Sequence, residues 1–161
     1  LHPVDCDRVY GQLTVPGAPL LQDLAAAFGQ EIIQDGALDR KTLAAKAFAT
    51  PAATEKLDQV THPAVLDACV QQAKIPAVLD APQLFESGAD ALCAYTLAVT
   101  APKDTRLARI MERDGIDRAA AQLRMQAQPA ADFYTEKCTF TVTNDGRDIK
   151  SQVDRILEAI L

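Results

Sequence analysis

Two aspartates, Asp5 and Asp7, stand one residue apart in "HPVDCDRVY", residues 2–10, directly after a short apolar run. Carboxylates at the end of a strand can accept a proton from a substrate hydroxyl or hold Mg²⁺. They can equally cap a helix, and Asp7 could cap one that begins at Arg8. Spacing alone leaves both readings open. The lack of a neighbouring His or Cys to complete it argues against a cysteine-centred metal site at Cys6. Asp80 ends a second apolar run, and Asn144 with Asp145 ends a third.

A basic group follows. Arg106, Arg109 and Arg113 recur at i, i+3 and i+7 and so share one helical face, apart from the apolar Leu107, Ile110 and Met111. Arg118 and Arg124 come after the break at Gly115. Guanidinium groups fork onto phosphate oxygens and neutralise charge that develops in phosphoryl transfer. The same face can simply be solvated, with Glu112 and Asp114 as partners. His62 in "THPAVL" fits a structural role as well as a functional one. No Ser-His-Asp arrangement can be built from it or from His2, the other histidine. Leu84, Phe85 and Glu86 in "APQLFESG" suit either a core corner or a pocket wall.

These groups need a frame. "LHPV" (1–4) predicts a short strand and residues 7–14 a short helix. "PLLQDLAAAFG" (19–29) predicts a helix stopped by Gly29, and "LDRKTLAAKAF" (38–48) a second. Thr50 as N-cap and Pro51 as first helical residue open a third, running to about Ala73 with a bend or restart at Pro63. Strands are expected at 75–82, 95–102 and 139–146. Helices are expected from Lys103 to Asp114, over 118–128 behind Asp117, and at the C-terminus. There Ile149, Val153, Ile156, Leu157 and Ile160 mark one buried face. Short apolar strands alternating with helices indicate an α/β fold, a parallel sheet covered on both faces. In such folds ligands bind beyond the carboxyl ends of the strands, which would gather Asp5, Asp7, Asp80, Asn144 and Asp145.

The chain's 161 residues suit one domain. A formal charge of −6 argues against general nucleic-acid binding while leaving room for a local basic pocket. Cys6, Cys69, Cys93 and Cys138 form no C-x-x-C pair, which fits buried thiols in a reducing cytoplasm. No apolar run is long enough to span a membrane.

Taken in order, "VDCDRVY…PGAPLL", "DGALDRKTL…F", "HPAVL", "VLDAPQLFESG", "VTAPKDTRLARIMERDG", "RMQAQ" and "NDG" resemble dephospho-coenzyme A kinase. The resemblance implies a three-layer α/β/α P-loop kinase fold. Its core would be 1–18, 74–102 and 139–161, its helical coenzyme-A-binding lobe 19–73, and its lid 103–138. It implies transfer of the ATP γ-phosphate, with Mg²⁺, to the ribose 3′-hydroxyl of dephospho-coenzyme A. Carried over by position, Asp7 is the general base and Asp5 positions Mg²⁺ or the substrate. Arg40, His62, Leu84, Phe85 and Glu86 lie on the acceptor side. Arg109 and Arg113 belong to the lid, Arg124 and Gln128 to the helix after it, and Asn144 to the turn near adenine.

The chain departs from that pattern in places. The Walker A loop, G-x-x-x-x-G-K-[ST], is absent from it, and no Gly-Lys pair occurs. The family places the loop upstream of Asp-x-Asp, so a strand-loop-helix unit of roughly 25 residues is expected before Leu1. The stretch near Ala73-Lys74 is a few residues short. Gly11 stands where the family often has Arg, and Thr139 where Asp is common. Two other readings are kept: another small-molecule P-loop kinase, such as one acting on nucleoside monophosphates, and a non-catalytic binding module.

Overall fold

The computed structural model describes residues 1–126 and 128–160. The chain divides into two compact units, Leu1–Leu92 and Cys93–Leu161.

In the first unit, β1 (His2–Asp5) leads directly into α1 (Cys6–Leu13). After α2 (Pro19–Phe28), a single 3₁₀ turn enters the hairpin of β2 (Ile33–Gln34) and β3 (Ala37–Leu38). Asp35 and Gly36 form its two-residue loop, with φ of 50° and 80°. Two consecutive positive φ values are what a type I′ turn demands, and Asp-Gly supplies them at least cost. α3 (Arg40–Ala47) and α4 (Pro51–Gln72) follow, then β4 (Ala77–Asp80). Thr50 caps α4 through the Ala53 amide and Pro51 starts it, as expected. The helix runs unbroken through Pro63 rather than restarting there.

α4 serves two cores. Its first half sets Leu57, Val60 and Ala64 against a cluster of Leu20, Leu24, Ala25, Phe28, Ile32, Leu43 and Ala47. Its second half sets Val65, Ala68 and the buried Cys69 against Val4, Cys6 and Val9. One rigid helix therefore ties the helical lobe to the strand that ends in Asp5. Leu24 is fully buried in the first cluster. Leu24→Ala should lower unfolding free energy by about 3 kcal/mol, the transfer and cavity cost of such a truncation, measured by urea denaturation.

In the second unit β5 (Leu97–Thr100) is followed by α5 (Lys103–Asp114), α6 (Arg118–Gln126), α7 (Ala131–Lys137), β6 (Phe140–Thr143) and α8 (Ile149–Ile160). Gly115, at φ 63°, ends α5 in the left-handed conformation, and its amide reaches the Met111 carbonyl. The expected 118–128 helix is seen to Gln126; Ala127 lies outside the described residues, as does Leu161. The apolar stripe of α8 is half-buried rather than buried.

Apart from the antiparallel β2–β3 hairpin, the strands pair in parallel, as the α/β pattern requires. β1 pairs with β4 and β5 with β6, bringing Asp5 opposite Asp80 and Thr100 opposite Thr143. Thr139 makes a reciprocal pair with Thr96, amide to hydroxyl in both directions at 3.2 and 3.0 Å, so it aligns the start of β6 beside β5. No helix among the described residues is long and apolar enough to cross a membrane.

Candidate active site

The strand-to-helix junction at residues 4–8 shows which carboxylate caps the helix. Asp5, not Asp7, is the cap. Its backbone is still extended, and its Oδ1 accepts the Arg8 amide at 2.9 Å. The helix starts at Cys6, one residue earlier than expected, directly after β1, which keeps its register with β4 as far as Asp80. Asp7 falls in the first turn, exposed, with its side chain released from capping. A carboxylate there is favoured by the partial positive charge of the helix N-terminus.

Cys6 lies under this corner. Its sulfur is 3.5 Å from that of Cys69, and its thiol is pushed up to about 12. Burial is the largest cause, followed by the Cys69 contact and the negative charges of Asp7 and Asp80. Asp80, unassigned from the resemblance, joins Asp5 and Asp7 at the strand ends. None of the four cysteines forms a disulfide. In native protein, iodoacetamide should label the half-buried Cys93 and Cys138 before Cys6 and Cys69. Prompt labelling of Cys6, read by peptide mass, would contradict the buried, un-ionised thiol.

Arg40 is placed by the hairpin. The Asp39 amide donates to the Ile32 carbonyl at 2.7 Å, and Gln34 Nε2 donates to Asp39 Oδ2 at 3.0 Å. Asp39 then caps α3 through the Lys41 and Thr42 amides. Its carboxyl is held below the usual range, chiefly by the Thr42 hydroxyl. This makes Arg40 the first helical residue, exposed, with its guanidinium 6.0 Å from the centre of the Tyr10 ring. A Cβ at Gly11 would meet the Arg40 Nη2 at 3.8 Å, an ordinary contact distance.

His62 has a defined structural task. Its Nε2 lies 3.1 Å from Gln83 Oε1 and 3.4 Å from Asp58 Oδ1, one helical turn earlier. It fastens the 81–88 segment to α4. That segment is a series of turns, with the Ser87 amide on the Gln83 carbonyl and the Ala89 amide on the Leu84 carbonyl. Leu84 and Phe85 are half-buried and Glu86 is exposed. Asp58 and Gln83 escaped sequence reading. Asp58, at i−4 from His62, carried a helical-spacing signal, whereas Gln83 carried none.

In the second unit the arginines of α5 take three different partners. Arg106 Nη2 donates to Gln128 Oε1 at 3.3 Å. Arg109 Nη2 donates to Asn144 Oδ1 at 3.0 Å. Arg113 forks onto Asp114, Nε to Oδ1 at 2.7 Å and Nη2 to Oδ2 at 3.0 Å. Asn144 is itself fixed, its amide donating to the Thr100 carbonyl at 2.6 Å. Gln152 of α8 holds the preceding residue by both Thr143 amide and carbonyl. Arg109 is therefore brought to the carboxyl end of β6.

Among the described residues, no group of three or more His, Cys, Asp or Glu could hold a metal. Capping engages one oxygen of the exposed Asp5 carboxylate.

The comparisons with known proteins meet this geometry. The dephospho-CoA kinase family model matches residues 1–150. A dephospho-CoA kinase of Anaeromyxobacter dehalogenans is 38% identical over 164 residues, covering 96% of this chain and 78% of that protein. One from Corynebacterium glutamicum is 33% identical, covering 98% and 84%. The crystal structure of TT1252 from Thermus thermophilus superposes with a TM-score of 0.82 at 28% identity, covering 99% of this chain and 84% of that one. A dephospho-CoA kinase structure from Campylobacter jejuni, 23% identical, shares the fold with a TM-score of 0.66, covering 99% and 85%.

Proposed function

Because the chain belongs to the dephospho-CoA kinase family, we propose that its residues carry out ATP-dependent phosphorylation of dephospho-CoA in the roles that follow. The reaction is transfer of the ATP γ-phosphate to the ribose 3′-hydroxyl. The observation that carries the reading is the family match over residues 1–150, a span that includes every candidate site residue.

Asp7 takes the proton of the 3′-hydroxyl as that oxygen attacks phosphorus. It suits the task because it is exposed and does not cap its helix. Asp5, anchored by capping, is the carboxylate that would hold Mg²⁺. When bound, the ion would neutralise charge on the β- and γ-phosphates. Arg40, stacked near Tyr10, faces the anionic part of the acceptor. His62 keeps the Leu84-Phe85-Glu86 turn in place as an acceptor wall. Arg109 and Arg113 supply positive charge to the triphosphate, and Asn144 orients Arg109. In this scheme helices of 19–73 form the acceptor lobe and 103–138 the lid. Four cysteines without a disulfide and a small-molecule substrate suit a cytoplasmic enzyme.

The test is an acceptor panel on the full-length protein. ATP consumption should require dephospho-CoA and be absent with AMP, UMP or water. Phosphorus NMR of the product should show a new 3′-phosphomonoester. Turnover of a nucleoside monophosphate instead would favour the other kinase reading, and no turnover with any acceptor would favour a binding module.

A further inference from the structure

Asp114 stands where two arginines converge. It is the last residue of α5, Gly115 turns the chain, and Arg124 reaches back from α6. Arg113 forks onto both Asp114 oxygens, and Arg124 Nη1 donates to Oδ2. The exposures are uneven: the Asp114 side chain is 15% exposed, against 73% for Arg113 and 56% for Arg124. The carboxylate is enclosed while both guanidiniums keep an edge toward water. An ordinary surface pair, Lys150–Asp154, has one cation per anion and leaves both side chains open, at 85% and 47%.

We propose that Asp114 is a specificity-setting residue of the lid, whose carboxylate occupies the Arg113–Arg124 pair as a phosphate oxygen would and must be displaced for a triphosphate to bind. This rests on reading α5 and α6 as the ATP lid. Two parallel N–H donors on two oxygens is the contact Arg makes with phosphate as well as carboxylate, so the two anions compete for the same edge. The charge count agrees. Two guanidiniums on one carboxylate leave one net positive charge, enough to attract a triphosphate but poor at retaining singly charged anions. Removal of the carboxylate would leave two. Asp114 thereby raises the threshold for lid binding to ligands with several phosphate oxygens, and it holds the arginines in order meanwhile.

The experiment compares wild type and Asp114→Asn in the full-length protein, with tripolyphosphate as the probe. For the variant, the KM for ATP and the tripolyphosphate inhibition constant should each fall about fivefold to tenfold at low salt, with kcat/KM rising. The difference should shrink at about 0.5 M salt. A carboxylate that only braces the α5–α6 corner predicts the opposite, weaker binding of both, and that result or no change overturns the proposal. Calorimetric titration with tripolyphosphate needs no acceptor, so it separates failure of the lid proposal from failure of the kinase reading. If Asp114→Asn does not fold, ¹⁵N spectra of wild type decide. The Arg113 Nε–H resonance should move and saturate with tripolyphosphate, and an unmoved resonance at saturation overturns the proposal.

Discussion

Asp7→Asn should cut kcat by about 10²–10⁴-fold and leave the KM values for ATP and dephospho-CoA nearly unchanged, with kcat/KM falling in parallel. The amide matches the carboxylate in shape but cannot take the proton of the attacking hydroxyl. An interaction present only in the transition state disappears, which is why kcat and kcat/KM fall together. A rival account treats Asp7 as a charge at a helix N-terminus. That role is worth about 0.3–1 kcal/mol of stability at an exposed site and nothing in turnover. Near-normal turnover in a folded Asp7→Asn protein would therefore remove Asp7 from catalysis. Asp5→Asn separates the neighbouring role. Asparagine caps helices as well as aspartate, so folding should hold. If Asp5 serves Mg²⁺, half-maximal activity should demand more Mg²⁺.

The pairing of these two residues shows what a one-dimensional reading can and cannot reach. Carboxylates at a strand end were visible as chemistry, but the division of labour was not. Either aspartate could cap a helix on local spacing. The choice was made by a partner 75 residues away, because β1 stays extended through Asp5 to match Asp80. Helices with punctuation were legible: Thr50-Pro51 opened α4 and Gly115 closed α5 at the expected residues. α7 was not, being seven residues with no side-chain cap. The β2–β3 hairpin was legible and overlooked, since Asp35-Gly36 between apolar residues is its usual signal. The hairpin matters to the site, because it hands Asp39 its capping position and so places Arg40.

The arginine face teaches the same lesson for side chains. Helical spacing put Arg106, Arg109 and Arg113 on one stripe, and the structure agrees. Spacing could not say that each would find a different partner, because Gln128, Asn144 and Asp114 are set by the break at Gly115 and by the end of β6. The solvated-face reading holds for part of the stripe, since Asp114 does pair with Arg113. Arg109 differs from Arg113 in being held by a neutral amide rather than a carboxylate.

That distinction makes Arg109 the second strong test. Arg109→Ala should lower kcat/KM for ATP by about 10³-fold, the scale of losing one arginine that stabilises the transferring phosphoryl group. Asn144 holds Arg109 by one Nη2 hydrogen at 3.0 Å, leaving the other donors of the guanidinium for oxygen atoms of the triphosphate. Arg109→Lys retains the charge but lacks the planar fork, so its loss should be intermediate, about 10–10²-fold. Asn144→Ala removes only the orienting contact, and its smaller effect should vanish when Arg109 is already absent. That coupling identifies Asn144 as acting through Arg109. Melting temperatures should stay close to wild type throughout, because Arg109 is exposed and its partner amide can turn to water. A solvated helix face would give the reverse pattern, with unchanged kinetics for Arg109→Ala, and that outcome would take Arg109 out of the phosphate site.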